Sequence, residues 1–181
     1  MIALYALSIV FGICLDVFCI KILRLSKIPC LFILNSLVIM ILYSAFDNQV
    51  IIVKGFLFSQ ILIFASLYDL KQRIIPDCVH ISIIIIGLIN CDLSNSIVGL
   101  VLVPLPYLLA AIIKSNSMGG GDIKLMGALG FILGTASGYV AGCIGLSLAI
   151  FYAKVVIKDK YESIPLAPFL GIGGFLMLLI R

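Results

Sequence analysis

The sequence predicts an all-α protein, a polytopic bundle of transmembrane helices in a single membrane-embedded domain, residues 1–181. Three observations support this fold class: 64% of the 181 residues are hydrophobic, only 11% are charged, and the mean hydropathy is +1.33. Soluble domains are typically about half apolar and about a quarter charged. No polar stretch is long enough to cover a water-facing core. The lipid bilayer is therefore the expected partner of the apolar surface.

Apolar runs mark the expected helices, because a bilayer-spanning helix needs roughly 20 mainly apolar residues. Six runs approach or reach this length, at about 2–20, 29–46, 50–69, 93–113, 136–154 and 164–180. Two shorter runs, about 79–91 and 122–135, follow the acidic motifs and span only with help from neighbouring helices. We expect about eight helices, or six to seven if the short ones are re-entrant.

The first run is interpreted as a retained helix, because it has neither a basic segment before it nor a small-residue cleavage site after it. Residues 1–49 then form two additional N-terminal helices before a core of about 50–181. With eight spans, ten of the twelve Lys and Arg residues fall in loops on one side. The positive-inside rule makes this side cytoplasmic and puts the N-terminus outside. The expected cytoplasmic loops lie near 21–29, 70–78, 114–121 and 155–163.

Composition also excludes some functions. The net charge is +4, but the cations are scattered through short loops with little aromatic interleaving, so no nucleic-acid partner is expected. The six cysteines form no CxxC pair and the chain has one histidine, so we expect neither a metal site nor a cofactor. We therefore expect a multi-pass protein of the inner or plasma membrane.

Acidic residues at membrane depth are candidates for function, because a charge there is costly. Four of the eight acids lie in loops and are interpreted as solvated: Asp47, Asp92, Asp159 and Glu162. Asp16, near the cytoplasmic end of the first helix, is explained by snorkelling or a helix contact. Asp77 follows a Pro-containing turn and is interpreted as the cap of the next helix. Asp69 and Asp122 remain, both at the expected cytoplasmic face.

Each of these two acids opens a distinctive stretch. Asp69 ends an apolar helix and begins Asp-Leu-Lys-Gln-Arg-Ile-Ile-Pro-Asp, and Asp122 follows three glycines, Gly119–Gly121. Two carboxyl groups about 3 Å apart share one proton, so one can accept a proton from water while the other polarises a carbonyl. The glycines allow positive φ and close approach of a substrate backbone. The alternative is a flexible turn with Asp122 as an N-terminal cap.

The lone histidine, His80, follows the first motif. We interpret it as a packing or hydrogen-bonding residue, since two acids already supply both proton-transfer partners.

Taken in order, these motifs resemble those of the type IV prepilin peptidases. Asp69 to Asp77 resembles the first aspartate motif, and Gly119 to Lys124 resembles the GxGD motif with the second catalytic aspartate. Ile-Pro-Leu-Ala-Pro-Phe, residues 164–169, is similar to the start of the last helix. The resemblance covers about 50 to the C-terminus.

The resemblance implies an aspartic endopeptidase of the inner membrane, with no metal in its mechanism. Such an enzyme removes the basic leader of prepilins and pseudopilins by cutting after a Gly at the cytoplasmic face. Asp69 and Asp122 are then catalytic. The residues expected to shape the site or bind substrate are Gly119, Gly120, Gly121, Lys124 and Pro76. Larger members carry a cytoplasmic CxxC domain linked to N-methylation; a short basic loop stands in its place here, so no methyltransferase activity is expected.

Three other interpretations stay open at this point. A transporter or channel component would use Asp69 and Asp122 for ion passage, although paired motifs at one face are not required for that. An inactive assembly subunit would not need both aspartates. A presenilin-type GxGD protease fits Tyr68-Asp69 locally, whereas the Ile-Pro-Asp continuation favours prepilin peptidases.

Overall fold

The computed structural model describes residues 10–14, 17, 21, 31–114, 118–156 and 164–180. These residues contain helices and no strand, which confirms the all-α class. The helices are α1 (Leu31–Ala45), α2 (Gln49–Gln72), α3 (Asp77–Gly87), α4 (Leu93–Leu102), α5 (Leu105–Ile113), α6 (Gly120–Leu133), α7 (Thr135–Val156) and α8 (Ala167–Ile180). Residues 10–14 and 17 of the predicted first span are helical; its remainder, with Asp16, lies outside the described residues.

Three stretches of the described chain are long and apolar enough to cross a membrane: Gln49–Gln72, Leu93–Ile113 and Thr135–Val155. The protein is therefore an α-helical membrane protein. Helix α6 differs from these stretches. Its 14 residues rise only about 21 Å at 1.5 Å per residue, against about 30 Å of hydrocarbon. Its last nine residues are all buried, so protein and not lipid surrounds it.

The chain divides into two compact units, residues 1–60 and residues 61–181, and the division falls within α2. In the first unit, the buried Gln60 Nε2 donates a hydrogen bond of 2.7 Å to Oδ1 of Asn35. Amide pairs of this kind join helices where no water is available. The predicted single domain, with its core from about 50, stays a prediction.

Helix α6 lies at the centre of the second unit, where it contacts α3, α4, α7 and α8. Small residues permit these contacts. Gly99 of α4 and Gly130 of α6 approach so closely that a Cβ on either would strike the backbone carbonyl of the other. Helices in membranes commonly use small residues in this way, because close backbones gain van der Waals contact.

Contacts along the helices fix their directions in this second unit. Helix α3 runs parallel to α6, because His80 contacts Gly121 near both starts and Gly87 meets Phe131 farther along. The last turn of α2 meets the first residue of α8 through Asp69. The end of α2 and the starts of α3, α6 and α8 therefore lie together, at what we call the site end.

Three local features add detail to the predicted boundaries. The predicted span 93–113 matches the stretch Leu93–Ile113, and Pro104 divides this stretch into α4 and α5, since proline lacks the N–H that a continuous helix needs. Helices α6 and α7 are joined by Gly134 alone, whose φ of 79° suits glycine. Helix α2 continues to Gln72, so Asp69 lies inside its last turn and does not end it.

Candidate active site

Asp69 is held by the start of the last helix. Its side chain is buried, and Oδ2 accepts a hydrogen bond of 3.0 Å from the backbone N–H of Ala167, the first residue of α8. The backbone of Leu166 also interacts with this carboxyl group. Free N–H groups and the helix dipole make a helix N-terminus a favourable place for a carboxylate.

The chain leaves α2 through a tight turn directly after Asp69. Arg73 has a φ of 56°, and its N–H donates to the carbonyl oxygen of Asp69 at 2.9 Å. A left-handed residue in this position is a common way to end a helix. Pro76 then precedes α3 with extended backbone angles. This turn connects the end of α2 to the start of α3 at the site end.

Asp122 lies in the first turn of α6, as its third residue. Gly119 occupies the N-cap position of this helix, so the alternative of Asp122 as N-cap is wrong. The carboxyl group of Asp122 instead accepts a hydrogen bond from the backbone of Gly119. A Cβ on Gly119 would lie 3.0 Å from Oδ2 of Asp122. A larger residue at position 119 would therefore crowd the carboxyl group.

The other two glycines have different surroundings. A Cβ on Gly120 would meet nothing within 4 Å, whereas a Cβ on Gly121 would lie 3.2 Å from Cβ of Ile75. None of the three glycines has a positive φ; within the described residues Gly134 is the glycine that does. At Gly119 and Gly121 the surroundings thus limit the size of the side chain, and at none of the three positions is a positive φ required.

A cavity of about 540 Å³ opens at the site end, and both Asp69 and Asp122 line it. All five residues predicted to shape the site line it as well, namely Gly119, Gly120, Gly121, Lys124 and Pro76. Asp122 lies outside the three membrane-spanning stretches. Burial raises its pKa to about 7, and the Asp69 carboxylate adds to this shift. Two carboxyl groups in such a cavity can hold one proton between them.

Asp77 does not cap α3, contrary to the sequence-based interpretation. Pro76 occupies the cap position and Asp77 is the first helical residue, without a capping hydrogen bond. Its Oδ1 instead accepts a hydrogen bond of 2.7 Å from Nζ of Lys124. This bond lowers the pKa of the Asp77 carboxyl. The ion pair links the starts of α3 and α6, and both of its side chains are largely exposed.

His80 is a buried residue of α3 with a hydrogen bond across to α6. Its Nε2 lies 3.0 Å from the carbonyl oxygen of Gly121. The predicted hydrogen-bonding role is therefore confirmed. The ring is absent from the lining of the cavity that holds Asp69 and Asp122.

Two contacts of the site are not evident from the residue types. The donors to Asp69 are backbone groups nearly a hundred positions away. Ile75 packs beside Gly121 in a van der Waals contact that involves no polar group. Pro165 and Pro168 are the sequence signal for the first contact, because proline favours the first turn of a helix. Within the described part of the chain, no group of three or more His, Cys, Asp or Glu residues is arranged to hold a metal ion.

These features define a helical membrane protein with two carboxyl groups in one cavity at the end of its bundle. The type IV leader peptidase family matches residues 56–156, which is more than half of the chain, and the chain belongs to this family. It is 31% identical over 130 residues to the prepilin peptidase EppA of Methanococcus maripaludis. That match covers 66% of this chain and 36% of the relative, so the chain spans about a third of the relative's length. No solved structure matches it.

Proposed function

We propose that the protein is a membrane aspartic endopeptidase that removes the basic leader of type IV prepilins or pseudopilins by cutting after a Gly. The observation that carries this proposal is the shared cavity of Asp69 and Asp122, the acids of the two motifs. Membership of the type IV leader peptidase family and the similarity to a prepilin peptidase support it.

In the proposed reaction the two carboxyl groups act as one unit. The ionised carboxylate takes a proton from a water molecule while the oxygen of that water attacks the scissile carbonyl carbon. The protonated member donates a hydrogen bond to the carbonyl oxygen, and a proton then passes to the leaving nitrogen as the C–N bond breaks. Because such a pair titrates together, the proton belongs to the pair and not to a fixed residue.

Asp69 and Asp122 are supported in different ways, which suits this joint action. Asp69 is fixed by the N–H of Ala167. Asp122 follows Gly119–Gly121, where the open side of Gly120 leaves room for an extended substrate backbone. We propose that this glycine segment forms the slot for the residues around the cleaved bond, with Pro76 at its rim.

Lys124 completes the proposed site from the side. Its bond to Asp77 holds the start of α6 near the start of α3, so its contribution is to the shape of the site. Exposed ion pairs contribute only about 0–1 kcal/mol. We therefore expect Lys124 to matter less than either aspartate.

We further propose that the site end faces the cytoplasm of an inner or plasma membrane. Cations are concentrated there, with Lys71 in the last turn of α2, Arg73 directly after that helix, and Lys154 in the last turn of α7. The positive-inside rule assigns such an end to the cytoplasm. The predicted loop 155–163 lies mostly, and the loop 21–29 almost entirely, outside the described residues.

We propose peptidase activity without N-methylation, in a single membrane-embedded domain with its core at about 50–181. The sequence has no CxxC pair, and a short basic loop stands where larger members carry their CxxC domain. The partners are then the lipid bilayer and prepilins with a basic leader and an apolar helix.

Co-expression with a candidate prepilin tests the proposal. Leader removal is read as a mobility shift, and mass spectrometry locates the cleaved bond. The matched control is a prepilin whose Gly before the cleavage site is replaced by a bulky residue. Cleavage of the first prepilin alone is expected. Uncut prepilin with abundant, folded protein, or proton flux through reconstituted vesicles, would favour the transporter alternative.

A further inference from the structure

The imidazole of His80 is fixed at one end by the glycine segment of the site. The residue is 6% exposed, and Nε2 lies 3.0 Å from the carbonyl oxygen of Gly121. A carbonyl oxygen can only accept, so Nε2 must carry the proton. The bond is shielded from water, which makes its loss costly.

The carbonyl that His80 binds belongs to the same peptide unit as the backbone nitrogen of Asp122. Fixing this carbonyl therefore fixes the plane from which the Asp122 side chain departs. On another side, Gly121 is limited by Ile75, since a Cβ on Gly121 would lie 3.2 Å from Cβ of Ile75. Both partners come from residues 75–80, so the end of the first motif and the first turn of α3 hold the peptide of the second motif.

The carbonyl oxygen of Gly119 accepts hydrogen bonds from the N–H groups of Asp122 and Ile123 in the first turn of α6, but the glycine segment has few other means of being held. Gly119, Gly120 and Gly121 have no side chains to anchor, and Gly120 faces open space. The ion pair between Lys124 and Asp77 lies nearby but is largely exposed. A buried hydrogen bond is the stronger restraint, because solvent and salt weaken exposed pairs.

We propose that His80 is a positioning residue that holds Asp122 in register with Asp69. This inference rests on the proposed peptidase function and adds a residue outside the cavity to it. His80 transfers no proton in the reaction: its ring is absent from the cavity lining, and Nε2 is occupied by Gly121.

The other ring nitrogen agrees with this assignment. Nδ1 is buried and has no hydrogen-bond partner among the described residues. It lies 3.7 Å from Oδ1 of Asp77, too far for a hydrogen bond, and that oxygen already accepts from Lys124. Burial also lowers the pKa of the imidazole, which favours a neutral ring with its proton on Nε2.

Three variants test the positioning role: His80→Gln, His80→Asn and His80→Ala. A Gln side-chain N–H reaches about as far as Nε2, whereas Asn reaches only as far as Nδ1. We expect Ala and Asn to lower kcat for prepilin cleavage about 10- to 100-fold with KM retained, because displacement by about 1 Å costs up to about 100-fold. Gln is expected to recover most of kcat. Equal loss in Gln and Asn, or full activity in Ala, would overturn the inference.

The single histidine of the chain permits a second test without substrate. The protein is purified through a tag free of histidine and labelled with ¹⁵N-histidine, so that one imidazole gives all signals. We expect Nε2 protonated with slow solvent exchange, and Nδ1 unprotonated. A proton on Nδ1 would contradict the inference. Wild-type protein that cleaves no prepilin would instead overturn the proposed function, whatever the imidazole shows.

Discussion

Replacing Ala167 by proline removes the backbone N–H that donates to Asp69, without touching either acidic motif. Proline is favoured at the first position of a helix, so α8 should still form. A hydrogen bond to a charged group contributes about 1.5–3 kcal/mol. The bond is 3.0 Å long and Asp69 is buried, so this range applies without discount for solvent. If the loss falls on the transition state, kcat/KM decreases about 10- to 150-fold.

The matched control is Ala167→Val, which keeps the N–H and adds about the same volume at this buried position. Both variants are compared with wild type for initial rates of prepilin cleavage in membrane fractions with equal enzyme levels, and for melting temperature in detergent. We expect Ala167→Pro to lose activity and Ala167→Val to retain most of it. Wild-type activity in both variants would refute the role of the N–H. An equal loss of activity in both variants would mean that crowding, and not loss of the donor, is responsible.

Three further predictions concern the site end. Cleavage should decline as the pH rises through about 7, because the raised pKa of Asp122 places loss of the shared proton there; a pH–rate profile of kcat checks this. Gly120→Ala should stabilise the protein by about 0.5–1 kcal/mol, seen as a higher melting temperature, because alanine loses less conformational entropy on folding. It should nevertheless slow cleavage, because the added Cβ enters the open cavity. Gly121→Ala should lower stability instead. In intact cells, an impermeant thiol reagent should label a sole Cys91 and spare a sole Cys78 at the site end.

Each of these predictions has a contrary outcome. A rate that keeps rising well above neutral pH would mean that no shared proton is needed. If Gly120→Ala cleaved at the wild-type rate, the glycine segment would not form the substrate slot. External labelling of Cys78 in preference to Cys91 would reverse the proposed orientation. For all three tests, the control is that each variant is present at the wild-type level, and that the single-cysteine variants still cleave prepilin.

Hydropathy predicts much of this fold because the bilayer imposes helices on any long apolar run. It also marks Asp69 and Asp122 as candidates, since each stands at an end of an apolar run. The break at Pro104 was missed because residues around it are apolar on both sides and window averages do not register a missing N–H. The cap assigned to Asp77 was wrong because local spacing cannot reveal Lys124, which lies 47 positions away.

The contacts that complete the site could not be predicted for a related reason. Ala167 acts through a backbone N–H, which every residue type except proline has, and Gly121 acts through a backbone carbonyl, which all types have, so their residue types give little signal. His80 was predicted to form a hydrogen bond, but its partner depends on the parallel packing of α3 on α6. That packing depends in turn on close contacts such as the one between Gly87 and Phe131. Such contacts follow from three-dimensional packing and not from local pattern.

The most direct test of the account is prepilin cleavage by Asp69→Asn, Asp122→Asn and the double variant at equal enzyme levels. An amide can neither accept the proton of water nor return it, so each single variant should be nearly as inactive as the double. Asp77→Asn is the control and should keep most turnover, because Asp77 is largely exposed and its hydrogen bond to Lys124 is exposed as well. Substantial cleavage by either Asp69→Asn or Asp122→Asn would contradict the catalytic pair.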